Sequence, residues 1–374
     1  MSAPSPEGQA PAAKRQRVAV AAADAAGDAP ASRRDAAARA SAPASPASPA
    51  PPAVAAPPAA PRVLIWDLDE TLIIFNSLLD RSFVPVDCAA TSRRALAGVL
   101  PPVLELRELA AERERLANAW STLVLSVCDE NFFFRCLEDC ESTMLTDHEG
   151  DDDGAPLSDY DFDEDALGRL ARHRFTRLEA AEGRVRAGEP AAGSPAALAP
   201  PPALSEAQRR RLTAYRLRVA GQRYAAGVPL RGAEAEAWHR LYAETDAFSQ
   251  RWLSAGRTAV EEAAAAGFTN VLVTAGCLLP TLAKLQLFKL DGLFEAPHAV
   301  MSARGEGKAA CFAKIAARYG PDARFCVIGD GCEEAEAARA LNWPLLAISP
   351  VVVDGGMPPH SITVDVLRRR IGEE

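Results

Sequence analysis

No run of 18 or more apolar residues occurs in the 374-residue sequence, so no membrane-spanning helix is expected. The opening "MSAPSPEGQAP" has no apolar core and carries Glu7, which argues against a secretory signal. The eight cysteines, from Cys88 to Cys332, form no CxxC pair and show no Cys/His spacing suited to zinc. Buried thiols in a reducing compartment are expected instead. Positive charge is short as well: 41 Lys and Arg against 50 Asp and Glu give a net charge of −9. That balance weighs against direct nucleic-acid binding. Residues 1–60 lack Leu, Ile and every aromatic side chain, and they hold 11 of the 29 prolines. Such a segment cannot bury enough apolar surface to offset its ordering entropy, so a disordered Pro/Ala-rich tail is expected.

What the tail does contain is a basic cluster, Lys14, Arg15 and Arg17, in "PAAKRQRVAV". It reads equally as a nuclear import signal and as three solvated charges. Order is expected from Arg62, where "VLIW" is a continuous apolar run of strand formers ending at Asp67. That is the pattern of a central strand covered on both faces. A long, mostly helical stretch follows, residues 81–265, read as an inserted helical domain. Two disordered loops are expected within it. One is the acidic segment 141–165, with 11 acids and no Lys or Arg, and the other is the Pro/Gly/Ala segment 183–205. Trp238, Leu241, Phe248 and Trp252 fall on one helical stripe expected to be core. The aromatic run "NFFFRC" is read as core packing in the same way.

From Asn270 strands and helices alternate: "NVLVT", "CLLPTLAKLQLFKL", "HAVMSA", "GKAACFAKIAARYG", "RFCVIGD", "CEEAEAARALN" and "PLLAIS". The alternation predicts an α/β fold with a parallel sheet and helices on both faces. Its core is discontinuous, residues 61–80 and 266–374, interrupted by the helical insert. Ligands bind beyond the carboxyl ends of parallel strands. Asp67, Asp69, Thr274, Lys308 and Asp330 all fall at such ends or just after them. Three aspartates in one place repel one another, and a hard divalent cation resolves that. Mg²⁺ takes one or two carboxylates, completed by water and phosphate oxygens. A nearby lysine and hydroxyl suit a phosphoryl group. One carboxylate can attack phosphorus, and a second, two residues on, can move the proton.

The series DxDxT, Thr274, Lys308 and "GDGCEE" resembles the haloacid dehalogenase superfamily. The resemblance implies a Rossmann-like core and Mg²⁺-dependent phosphoryl transfer through an aspartyl phosphate. It makes Asp67 the nucleophile and Asp69 the acid/base, with Asp67, Asp330 and the Asp69 carbonyl on the metal. Thr274 and Lys308 would contact phosphate, with Glu334 and, more weakly, Glu333 supporting the metal site. "WDLDETLIIFNSLL", "VLVTAGCLLPTLAKLQLFKL" and "CVIGDGCEEAEAARALNWPLLAIS" further resemble the Eyes absent family. That resemblance implies a phosphotyrosine protein phosphatase. In some members it implies a transcription-coactivator role, hence a transcription-factor partner on the helical insert and a place in nucleus and cytoplasm. Two positions depart from the family pattern: "TAG" leaves Thr274 alone after the second strand, and Asn76 replaces a histidine. The rival expectations are a superfamily phosphatase of phosphoserine or small phosphate esters, and a non-catalytic coactivator or adaptor.

Overall fold

The apolar run "VLIW" lies in β1 (Arg62–Trp66). After it come α1 (Asn76–Leu79), the long α2 (Val103–Phe132), α3 (Phe134–Leu137), α4 (Ala166–Arg186), α5 (Glu206–Ala225), α6 (Gly232–Phe248) and α7 (Trp252–Ala265). The chain then alternates through β2 (Thr269–Thr274), α8 (Leu278–Leu287), β3 (Val300–Ser302) and α9 (Gly307–Tyr319). It continues through β4 (Arg324–Gly329), α10 (Cys332–Ala340) and β5 (Leu345–Ala347) to α11 (Val364–Arg370). The computed structural model describes residues 60–83, 103–138, 140–186, 203–294, 298–349 and 359–373. The expected tail up to residue 59, with Lys14, Arg15 and Arg17, lies outside them, as does most of the expected loop 183–205.

Among the described residues five strands form one parallel sheet, in the order β3-β2-β1-β4-β5. β1 is central, and its side chains alternate between two buried layers. Val63 and Ile65 join Phe312, Ile315 and Ala337 from α9 and α10. Leu64 and Trp66 face the opposite layer, with Trp120 of α2, Trp252 of α7 and Leu282 of α8. A strand buried on both faces needs apolar residues at every position, and "VLIW" supplies them. Trp66 still carries a donor, and its Nε1 bonds Asn270 Oδ1 on β2 at 2.9 Å, so burial leaves nothing unpaired.

The helical stretch does not stand apart. The described residues form one compact unit, and α2, α6 and α7 share one cluster with the sheet residues Leu64, Trp66 and Leu272. The aromatic run behaves as core: Phe132 is fully buried, and Phe133 packs on Phe162 with ring centroids 4.8 Å apart.

Two expectations are corrected here. The acidic segment 141–165 is ordered, because α5 supplies the cations it lacks. Arg216 is fully buried and grips Asp165 through two bonds of 2.8 and 2.9 Å. Arg218 pairs with Asp152 at 3.1 Å, and the Tyr215 hydroxyl donates to Asp153 at 2.6 Å. The segment also reaches the sheet, where the Thr143 carbonyl accepts from Ser302 N at the end of β3 (2.8 Å). The second correction concerns the stripe from Trp238 to Trp252, which is split between two helices. Gln250 and Arg251 take left-handed φ values of 56° and 66°. The Asp246 carboxylate accepts from Ser254 N at 2.9 Å in the first turn of α7, which starts a new helix where periodicity suggested one.

α7 also presses on the loop that follows β1. A Cβ on Gly256 would lie 2.8 Å from the Leu72 carbonyl oxygen and 3.2 Å from its Cα, so only glycine fits against that backbone. Gly256→Ala should therefore lower the unfolding free energy by about 1–3 kcal/mol, the usual range for overpacking. Urea titration measures this, and an unchanged midpoint would show that α7 can retreat at no cost.

Candidate active site

Asp67 is placed by the sheet itself. Its N–H donates to the Ile328 carbonyl at 2.9 Å, which continues the β1–β4 ladder one residue past the strand. The strand order reverses between β1 and β4, where parallel sheets open a crevice. The chain then turns sharply, with both Leu72 N and Ile73 N donating to the Leu68 carbonyl (2.9 and 3.1 Å). Thr71, fully buried, ties this turn to the β4 loop through Oγ1 and Asp330 Oδ1 at 3.3 Å. Glu70, at a positive φ of 58°, accepts from Phe75 N, Ser77 N and Ser77 Oγ at 2.9–3.0 Å. Its carboxylate satisfies backbone donors at the start of α1.

All seven residues expected at the site line one cleft of about 660 Å³: Asp67, Asp69, Thr274, Lys308, Asp330, Glu333 and Glu334. Asp67 and Lys308 are buried, and Lys308 Nζ donates to Asp67 Oδ1 at 2.7 Å. The same ammonium meets Glu334 Oε1. Glu334 is buried, whereas Glu333 is exposed at the rim. Gly329 and Gly331 make room for the Glu334 side chain, since a Cβ on either would collide with it. Thr274 is buried, and its Oγ1 accepts from Gly276 N at 3.2 Å, which shapes the "TAG" turn. Asn76 is exposed on the cleft wall.

Burial pushes the Asp67 carboxyl up to about 7, against the opposing pull of Lys308. Asp330 is open to solvent on its outer side, and the shielding of its inner side raises its carboxyl too. The three aspartates expected around a metal share this cleft, with Asp69 expected to offer its main-chain carbonyl. Its carboxylate turns to Lys284 Nζ, at 2.8 and 2.9 Å. Among the described residues, no three His, Cys, Asp or Glu side chains gather closely enough to hold a metal. The expected set of two carboxylates and the Asp69 main-chain carbonyl needs no third such side chain. Six carboxylates against two lysines line the cleft, and Glu334 Oε2 is buried without a hydrogen-bond donor. A hard, hydrated cation fits that oxygen-rich, negative surplus.

Lys284 escaped the sequence reading. It lies on α8, buried, with Nζ 4.0 Å from the Phe75 ring centre. The signal was available: a lysine within the otherwise apolar "LLPTLAKLQLF" needs a buried anion. Glu70 was missed because its role is a turn contact, which no spacing rule announces; Thr71, the last residue of DxDxT, was in the motif, but its tie to Asp330 was not foreseen.

No family model matches the chain. A protein phosphatase EYA of Arabidopsis thaliana is 30% identical over 303 residues, covering 76% of this chain and 82% of that one. The chain belongs to the Eyes absent family. Human protein phosphatase EYA1 is 32% identical over 294 residues, and Drosophila melanogaster protein phosphatase eya 29% over 294. The match spans 43% and 33% of those two longer Eyes absent proteins.

The Lys308 ion pairs yield a test. A carboxyl whose folded pKa lies above its unfolded value disfavours folding increasingly as pH rises between the two, here from 3.8 to about 7. Lys308 offsets that cost. Lys308→Met should therefore destabilise by about 3–5 kcal/mol at pH 8 and by clearly less at pH 5, where Asp67 takes up a proton. Chemical denaturation at both pH values, without divalent cation, measures the difference. Equal losses would show that the ammonium does not balance Asp67.

Proposed function

We propose that this chain is a protein tyrosine phosphatase working through an aspartyl phosphate. The observation that carries the reading is the pairing of a buried Asp67 with Lys308 at the carboxyl end of the central strand, with Asp69 two residues on. An Asp67 oxygen attacks phosphorus and the bond to the tyrosyl oxygen breaks. Asp69, entering the step protonated and released from Lys284, delivers that proton to the departing phenolate. Water then attacks the acyl phosphate and gives a proton to Asp69. Inorganic phosphate leaves and the Asp67 carboxylate is restored. Phenol, with a pKa of about 10, leaves readily and asks little of Asp69, which stands salt-bridged to Lys284. Lys308 and Thr274 would hold the phosphoryl oxygens. Asp67, Asp330 and the Asp69 carbonyl would hold Mg²⁺, with Glu334 behind them. When bound, Mg²⁺ would neutralise phosphoryl oxygens as a Lewis acid.

The substrate class is a phosphotyrosine protein. The family resemblance also supports a coactivator role with a transcription-factor partner on residues 81–265, and a place in nucleus and cytoplasm. A reporter fused to residues 1–40 tests import, and signal confined to the cytosol would remove it. For catalysis the discriminating assay compares phosphotyrosine peptide, phosphoserine peptide and small phosphate esters, with and without chelator. Phosphotyrosine turnover should vanish with chelator. It should also fall by at least a thousandfold in Asp67→Asn, on the order expected when a nucleophile is lost. Turnover that ignores both would sink the mechanism, and turnover of phosphoserine alone would sink the specificity.

A further inference from the structure

The described residues expose two large hydrophobic side chains, Leu79 at 41% and Leu125 at 50%. Both line the cleft that holds Asp67 and Asp69. They come from different helices that pack on each other, α1 and α2. On each helix the exposed leucine extends a cleft-facing row. Phe75 and Leu79 are four residues apart, with Leu79 N bonded to the Phe75 carbonyl at 3.1 Å. Ser121, Val124 and Leu125 occupy one face of α2, at the spacing of neighbouring turns. Phe75 and Val124 are buried at the inner wall, and the leucines stand at the lip. One side of the cleft is thus an apolar wall rising from a floor of carboxylates and lysines.

A single exposed leucine is ordinary, but apolar side chains gathered at one cleft mark a binding surface. Two such residues sharing one catalytic cleft point to the substrate rather than to chance. On the phosphatase reading, with Mg²⁺ offsetting the carboxylates of the floor, the occupant carries its phosphoryl group there, and the wall calls for apolar surface just above it. Both cations of the cleft, Lys284 and Lys308, are already engaged by carboxylates, so nothing there favours an acidic flank. A phosphoryl group followed by a flat apolar ring meets these demands, and a phosphoserine, with one methylene, does not.

We propose that Leu79 and Leu125 form an apolar lip that covers the aryl ring of the phosphorylated residue and so selects aryl over alkyl phosphates. The inference rests on the phosphatase reading and adds to it the residues that set specificity. It also supplies a source of tyrosine preference where "TAG" offers a single hydroxyl, Thr274.

The test measures kcat/KM of the full chain with Mg²⁺ on phosphotyrosine, phenyl phosphate, phosphoserine and a phosphotyrosine peptide. The wild type is compared with Leu79→Ala/Leu125→Ala and with Leu125→Met. The double variant should lose about tenfold on all three aryl substrates, chiefly through KM, the effect of removing roughly 55 Å² of apolar contact. Phosphoserine turnover should stay unchanged, and Leu125→Met should keep wild-type selectivity. Thermal midpoints check folding, which these exposed positions should leave intact. Equal losses on aryl and alkyl esters, or no change on either, would overturn the assignment. A loss confined to the peptide would also overturn it, since the lip would then read a flanking side chain. If the wild type hydrolyses none of these esters, the phosphatase reading fails and the lip with it. If it is active and its selectivity is unmoved, the lip alone fails.

Discussion

A buried ammonium between two buried carboxylates is the interaction on which this molecule turns. Lys308 meets Asp67 and Glu334 at the end of the central strands, where solvent is largely excluded. Three charges in such a place persist only if the backbone holds them in register, because each would otherwise retain its water. The parallel ladder gives that register. Asp67 N reaches Ile328 O, Thr71 reaches Asp330, and two glycines beside β4 leave space for Glu334. The sheet is therefore both scaffold and electrostatic frame. A phosphate arriving at this edge would meet an ammonium already in place, without reorganisation at the moment of reaction.

The helical residues between β1 and β2 contribute to the same arrangement. They bury one face of the sheet through Trp120 and Trp252, and α2 carries Val124 and Leu125 to the cleft wall. Trp120 stacks on Phe288 just past α8, at 4.1 Å, and Trp238 Nε1 donates to the Leu287 carbonyl at 2.7 Å. α8, which carries Lys284, is thus held by the helices as well as by the sheet. Asp69 depends on that placement, because its partner cation comes from α8 and not from its own loop.

Charge complementarity also explains why the acidic segment is ordered. An isolated run of 11 acids would stay solvated. Opposite the arginine-rich α5 it becomes one half of a paired surface, anchored by the buried Arg216–Asp165 bridge. The segment then carries Thr143 to the end of β3. Composition read one segment at a time misses such pairing, since the compensating charge lies some 50 residues away, as with Arg216 and Asp165.

The sequence by itself determined the strands, their burial on both faces, and the delivery of Asp67, Asp69, Thr274, Lys308 and Asp330 to one edge. Those features follow from short-range patterning: apolar runs, helix periodicity, and polar residues at strand ends. Only the tertiary structure decided that Glu334 meets Lys308, that Lys284 holds Asp69, and that two exposed leucines frame the cleft. It also decided that the helical stretch shares the core of the sheet. These depend on which surfaces meet across long stretches of chain, as with Lys284 and Asp69, 215 residues apart. No local propensity encodes that meeting. It is set by how the helices pack over the sheet and by the need of every buried charge for a partner.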